Sequence, residues 1–198
     1  MAYSYAIEQA IRAVSVLHKD QVRKGPVPYP YMTHLFAVAM IVSDYTTDED
    51  TIVASLLHDT LEDTDYTAQE LEDDFGGGVK ELVLSITEPS LLNTDKESVR
   101  EQKKEYLKQI KDASERALII VAADKIHNMR TIVEEYFDTH SAFIADFGSA
   151  LDDRLLMYQE ISNTLNRKLK NAILSEFNSV FTEYKNFIQD VEKKRNSY

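Results

Sequence analysis

Only five glycines and four prolines interrupt these 198 residues, and they are concentrated. Prolines 26, 28 and 30 share one loop, and glycines 76 to 78 form one run. A turn-rich β fold needs such residues at every reversal of the chain. A sequence this poor in them is expected to be all-α, a helical bundle of about eight to ten helices. Hydrophobic residues make up 43%, enough for a substantial interior. The length suits a single domain over residues 1–198.

Charge narrows the partners. The chain carries 22 basic and 34 acidic residues, a net charge of −12. A surface of that sign repels nucleic acid and anionic lipid, so neither is expected as a partner. A small phosphorylated ligand fits only if cations gather locally. No apolar run reaches the length of a membrane span, and the N-terminus lacks the regions of a signal peptide. With no cysteine there are no disulfides and no thiolate chemistry, which agrees with a reducing, cytoplasmic compartment. A homodimer is compatible with these features.

Apolar spacing predicts the helices. Ile7, Ala10, Ile11, Val14 and Leu17 recur at three and four residues over 2–22. Thr33 is the expected N-cap of a helix over 34–44, and Thr47 to Asp50 the start of a central one. Thr67 and Glu70 form a capping box for a helix running to Phe75, where the glycines end it. A short apolar helix over 79–86 follows. The lysine-rich tract 90–112 should become an exposed helix resting on Tyr106, Leu107 and Ile110. Two helices over about 149–167 and 169–194 complete the chain, the last packing through Phe177, Val180, Phe181, Tyr184, Phe187 and Ile188.

The chemistry gathers in two stretches. Ala54 to Thr64 ends an apolar run with His58, Asp59, Glu62 and Asp63. On a helix His58 would stack with Glu62 and Asp59 with Asp63, making two columns of potential ligand and carboxylate. Alone, a His-Asp pair reads as a helix end with an acidic rim. Acidic groups at a helix C-terminus oppose the macrodipole, however, and a bound cation would offset that cost. The second stretch, Arg116 to Arg130, is apolar enough to carry Asp124 into the interior. A buried carboxylate requires a cation, a donor network or a metal; pairing with Lys125 or Arg130 is the plainer alternative. Asn128 and Thr131 share its helix face, with His127 beside it. His34, His58, Asp59 and Asp124 together would offer two imidazoles and two carboxylates, a thiolate-free set suited to Mn²⁺, Fe²⁺ or Zn²⁺.

These residues form a recognisable pattern. His34, then His58-Asp59, then Asp124 resembles the ligand order of the HD-domain metal-dependent phosphohydrolases. Arg23-Lys24 before Pro30-Tyr-Met-Thr-His34, the stretch 54–64, Phe75-Gly76 and Ala123 to Arg130 are similar to the (p)ppGpp hydrolase domain of Rel/SpoT enzymes and stand-alone alarmone hydrolases. The resemblance covers roughly residues 5–160 and implies an HD-type helical bundle that hydrolyses the 3′-diphosphate of ppGpp or pppGpp. It implies Mn²⁺ on His34, His58, Asp59 and Asp124, with Glu62 and Asp63 activating the attacking water. It also implies substrate contacts from Arg23, Lys24, Lys125, Asn128, Arg154 and Tyr158, and a lysine of the 90–104 tract, assigned to Lys96. Leu35 stands where the family usually has proline, Lys125 matches the stand-alone group, and tract 88–115 matches least. No synthetase domain or regulatory tail is expected. The alternatives are another HD-type nucleotide phosphohydrolase, acting on NADPH or a deoxynucleotide, or a nucleotide-binding module without catalysis.

Overall fold

The computed structural model describes residues 3–89, 96–148 and 151–195, with side chains at all of these except 96, 97, 152, 153 and 195. Among the described residues the regular elements are all helices, joined by one isolated backbone bridge between Val22 and Pro30. The all-α expectation therefore holds.

Helix α1 (Tyr5–Leu17) is shorter than its apolar periodicity suggested. Ser4 caps it by accepting from the Ile7 amide, and it stops at His18, whose amide donates to Val14. The loop 21–30 follows, pinned at its base by Arg23 and Tyr29 and by Tyr31 and Gln21 through backbone hydrogen bonds. Helix α2 (Met32–Tyr45) opens after Tyr31, and no side chain caps it. The expected cap, Thr33, instead donates its hydroxyl to the Pro30 carbonyl.

Two helices form the centre. Helix α3 (Glu49–Leu57) is capped by Asp48, and every residue from Thr51 to Leu57 is buried. A helix apolar on all sides belongs inside a domain. Helix α7 (Glu115–Tyr136) is capped by Ser114 and buried continuously from Ala117 to Asp124. It packs along α10 (Ile173–Arg195) and against α2 and α3. The six residues expected to form the packing face of α10, from Phe177 to Ile188, are all buried. Full burial of a Leu or Ile side chain is worth about 1.5–3 kcal/mol. Ile52, Leu56 and Leu57 therefore hold the C-terminal end of α3, and with it His58, firmly in the interior.

Two details depart from the sequence reading, and a third agrees with it. The motif does not ride on one helix: α3 stops at Leu57, and α4 (Thr60–Asp63) begins after His58 and Asp59. The glycine run separates two helical stretches, as expected, although they abut at Gly76 without a loop between them. Helix α5 (Ala68–Leu84) has the expected capping box of Thr67 and Glu70 and then turns at Gly76, whose φ of 83° suits glycine. Helix α8 (His140–Phe147), which precedes α9 (Leu151–Lys168), was not foreseen; it presents Phe143 to Tyr136 of α7 and Phe187 of α10. Helix α6 (Lys96–Asp112) rests on Tyr106 and Ile110, as its pattern predicted.

Candidate active site

The site lies where the ends of α2 and α3 meet the middle of α7. His34, in the first turn of α2, His58, just past α3, and Asp124, on α7, are 1%, 6% and 8% exposed. Donor atoms of His34, His58 and Asp59 lie within 4.8 Å of one another, and Asp124 stands against the two imidazoles. The His34 Nε2 atom is 3.2 Å from Asp124 Oδ1 and 3.6 Å from Asp59 Oδ2. The His58 Nε2 atom is 3.2 Å from Asp59 Oδ2 and 3.9 Å from Asp124 Oδ1. Such separations suit neighbouring donors around one cation with bonds of about 2.1 Å.

The protons show why the cluster is incomplete by itself. The Ser55 carbonyl, 2.8 Å from His58 Nδ1, can only accept, so Nδ1 carries the hydrogen and Nε2 is left with a bare lone pair. That Nε2 has no hydrogen-bond partner among the described residues. His34 Nδ1 lies 2.8 Å from His127 Nδ1. Burial, then the neighbouring His34 and Arg23, push the His127 pKa down to about 3, so His127 is neutral and can accept from His34. Burial likewise lowers His34. The bare His58 Nε2 and the His34 Nε2 therefore both face carboxylate oxygens at 3.2 Å. A divalent cation fits this donor set, and a buried lone-pair cluster is costly without one.

The surrounding contacts fix the ligand candidates. Tyr31 donates its hydroxyl to Asp59 Oδ2 at 2.7 Å and stacks on His18, with centroids 5.3 Å apart. Asp124 is held by Lys125 at 2.6 Å and by the Asn128 amide at 2.5 Å. Burial alone would raise its pKa, but the Lys125 charge and His34 keep the carboxyl well below the usual range. The plainer expectation for Asp124 is thus also met: Lys125 pairs with one oxygen while the other faces the imidazoles.

Breaking the helix at His58-Asp59 changes how the acidic pair is set. The Glu62 amide bonds to the Asp59 carbonyl at 3.2 Å, and Asp63 does so at 3.0 Å, so the α-helical link from His58 to Glu62 is replaced by a tighter turn. Glu62 stands at the rim, exposed as a residue. Its carboxyl is nevertheless crowded: desolvation, then the Asp59 and Glu88 charges, push its pKa up to about 8 against the Glu88 amide. That amide donates to Glu62 Oε1 at 2.6 Å. Asp63 is raised too, by burial and then by Asp59, with Tyr31 opposing.

A cleft of about 570 Å³ opens beside this cluster. Five cations line it: Arg23, Lys24, Lys103, Lys125 and Arg154. Asn128, Thr131 and Tyr158 also face it, so the structure brings together nearly all of the expected substrate contacts. Arg23 donates to Asn128 Oδ1 at 2.6 Å and lies over the Tyr31 ring at 5.5 Å, which ties the loop to the cation cluster. Lys24 and Arg154 both cover the Phe147 ring, at 4.8 and 4.5 Å, and Lys24 also donates to the Asp146 carbonyl. The side chain of Lys96 lies outside the described residues; the α6 lysine seen in the cleft is Lys103. Sequence reasoning missed Tyr31 and Glu88 and gave His127 no role. Tyr31 and His127 carried a signal, since Tyr31 precedes His34 by one helical turn and His127 shares a helix with Asp124.

Comparison with known proteins agrees with this geometry. Residues 10–145 match the HD domain family. The guanosine-3′,5′-bis(diphosphate) 3′-pyrophosphohydrolase MESH1 of Danio rerio is 32% identical over 155 residues, covering 70% of this chain and 83% of that protein. The MESH1 of Mus musculus is 35% identical over 135 residues, 61% of this chain and 73% of that protein. The chain spans only 14% of the length of the Streptomyces coelicolor GTP pyrophosphokinase, to which it is 38% identical over 127 residues, or 64% of this chain. Among solved structures, a metazoan ortholog of SpoT that hydrolyses ppGpp superposes with a TM-score of 0.75 at 25% identity, covering 92% of this chain and 97% of its own. From sequence match, ligand order and fold together, the chain belongs to the HD-domain family, alongside the MESH1-type pyrophosphohydrolases.

Proposed function

We propose that this chain, as a single domain over residues 1–198, hydrolyses the 3′-diphosphate of guanosine tetra- or pentaphosphate, releasing pyrophosphate and GDP or GTP. The observation that carries this reading is the convergence of two imidazole Nε2 atoms, that of His58 without a hydrogen-bond partner, with carboxylate oxygens beside a cleft rich in cations. An anionic substrate in an acidic protein needs such a local reversal of field. MESH1 relatives with the named activity, matched over most of their length, supply the substrate.

His34, His58, Asp59 and Asp124 would hold a divalent cation, and the mixed nitrogen and oxygen donors without thiolate favour Mn²⁺. When bound, the cation lowers the pKa of water from near 16 toward about 7 and stabilises developing negative charge. Glu62 would take up the water proton, while Asp63 would orient the same water. The water oxygen bonds to the phosphorus next to the 3′ oxygen, that P–O bond breaks, and the 3′ oxygen leaves with a proton. Lys125 and Lys103 neutralise the departing pyrophosphate, and Lys24, Arg154 and Tyr158 hold the remaining phosphates and ribose. A cytoplasmic setting and a homodimer accord with this reading, and no described helix is long and apolar enough to cross a membrane.

The test is product analysis by anion exchange after incubation with ppGpp, with and without Mn²⁺, beside NADPH under the same conditions. GDP plus pyrophosphate formed only with metal is the expected result. Folded, metal-bound protein that leaves ppGpp intact would overturn the substrate assignment, and turnover of NADPH in its place would identify another phosphohydrolase on the same site.

A further inference from the structure

The cleft holds two carboxylates among its cations, Glu88 and Glu135. Glu88 stands at the metal end, since it also borders the small cavity shared by His58, Asp59, Glu62 and Asp124. Glu135 does not. It follows Asp124 by eleven positions on α7, about 16 Å along the helix axis at about 1.5 Å per residue. Asn128 and Thr131 line the intervening face.

Glu135 has no ion pair or hydrogen bond to its carboxylate among the described residues. Burial raises its pKa, and the Arg23 charge works the other way. Its Oε2 sits directly over Gly25, where an added Cβ would come within 2.3 Å of it. A side chain at residue 25 would push the end of the Glu135 side chain aside. An acid in a cleft built for phosphate repels phosphate. It is useful only against a part of the ligand that is uncharged and donates hydrogen bonds.

We infer that Glu135 reads the base of the bound nucleotide and selects guanine over adenine. This rests on the nucleotide reading of the cleft given above. With the 3′-diphosphate at the metal end, the ribose places the base away from that end. Guanine offers two adjacent donors, N1–H and the N2 amine, which match the two oxygens of one carboxylate. Adenine presents the N1 lone pair there, so a carboxylate meets an acceptor and loses one of the two bonds. A bidentate contact of this kind discriminates by about 10- to 100-fold.

The experiment measures binding of GDP, IDP and ADP to the full chain with Mn²⁺, by calorimetry, for the wild type, Glu135→Gln, Glu135→Leu and Gly25→Ala. The wild type is expected to prefer GDP over ADP by about tenfold or more, with IDP, which lacks the N2 amine, between them. Glu135→Leu should lower GDP affinity more than ADP affinity and so narrow the ratio, and the isosteric Glu135→Gln should fall between. Gly25→Ala, which displaces the carboxylate, should also narrow the ratio. A wild type without preference or without binding, or variants that weaken GDP and ADP equally, would overturn the inference. Turnover of ppGpp is followed in parallel. If ppGpp is hydrolysed but the ratio ignores Glu135, the base assignment falls alone. If ppGpp is untouched and the ratio follows Glu135, the hydrolase reading falls alone.

Discussion

Tyr31→Phe isolates how the cation site is held. The hydroxyl bonds Asp59 Oδ2 at 2.7 Å, and that same oxygen is 3.2 Å from His58 Nε2 and 3.6 Å from His34 Nε2. Removing the donor frees the carboxylate to rotate away from the imidazoles. The ring keeps its stack on His18 and its place under Arg23, so packing is preserved. Partners of this outer kind are worth about 10- to 100-fold in metal affinity, or about 1.4–2.7 kcal/mol. Asp59 remains 16% exposed and can recover a water, so metal-free stability should shift by less than about 1 kcal/mol. Chelator competition for Mn²⁺ and Tm with and without metal test both halves. The variant should bind Mn²⁺ at least tenfold more weakly and lose most of the metal-dependent rise in Tm, with an unchanged metal-free Tm. An affinity within twofold of the wild type would refute the claim that Tyr31 sets Asp59.

Three further outcomes are expected. Glu62→Gln should keep the fold and bind Mn²⁺ as before but lose about 10²- to 10⁴-fold in kcat for ppGpp; full activity would remove Glu62 from proton transfer. Asp124→Asn leaves the buried Lys125 ammonium unpaired, at a cost of about 3–5 kcal/mol by denaturant titration in the absence of metal. Because the folded Asp124 pKa lies below the unfolded 3.8, its contribution is complete above that value and disappears as pH falls through the folded one. The wild type should thus lose stability below about pH 4 more steeply than the variant, and parallel pH curves would contradict this. Gly76→Ala meets no atom within 4 Å but imposes a φ of 83° on a residue with a side chain. It should lower stability by about 1 kcal/mol with kcat unchanged; an unchanged Tm would mean the kink is not glycine-dependent.

The helices were legible where burial and spacing agree. The run from Ile52 to Leu57 and the face of α10 predict their own burial because apolar area outweighs every other local term. The metal candidates were legible for a related reason: an apolar run that ends in His-Asp, or that carries one Asp inward, states an unsolved charge problem. What the sequence concealed depends on geometry between elements. Nothing in the sequence indicates that α3 breaks at Leu57; the backbone leaves helical geometry at Asp59 (φ −96°, ψ −2°), while His58 sets its Nδ1 on the Ser55 carbonyl and its Nε2 toward the carboxylates opposite. Helix α8 was missed because a short segment between Asp138 and Gly148 buries little of itself, chiefly Phe143.

The same reasoning explains how an acidic chain can serve an anionic substrate. Its net charge of −12 is spread over the surface, whereas the cleft draws Arg23 and Lys24 from a loop, Lys103 from α6, Lys125 from α7 and Arg154 from α9. No single stretch of sequence contains that patch. Lys125 is committed to a buried carboxylate, and Arg23 is oriented through Asn128, which also holds Asp124. Substrate contacts and ligand candidates thus share one hydrogen-bonded network across α2, α3 and α7. Occupation of the cation site should stiffen Arg23 as well as Asp124, so metal affinity and nucleotide affinity should rise together, each by the same factor when the other ligand is present. Calorimetric titration of GDP at several Mn²⁺ concentrations measures that factor, and an affinity independent of metal would show the two halves of the site to be uncoupled.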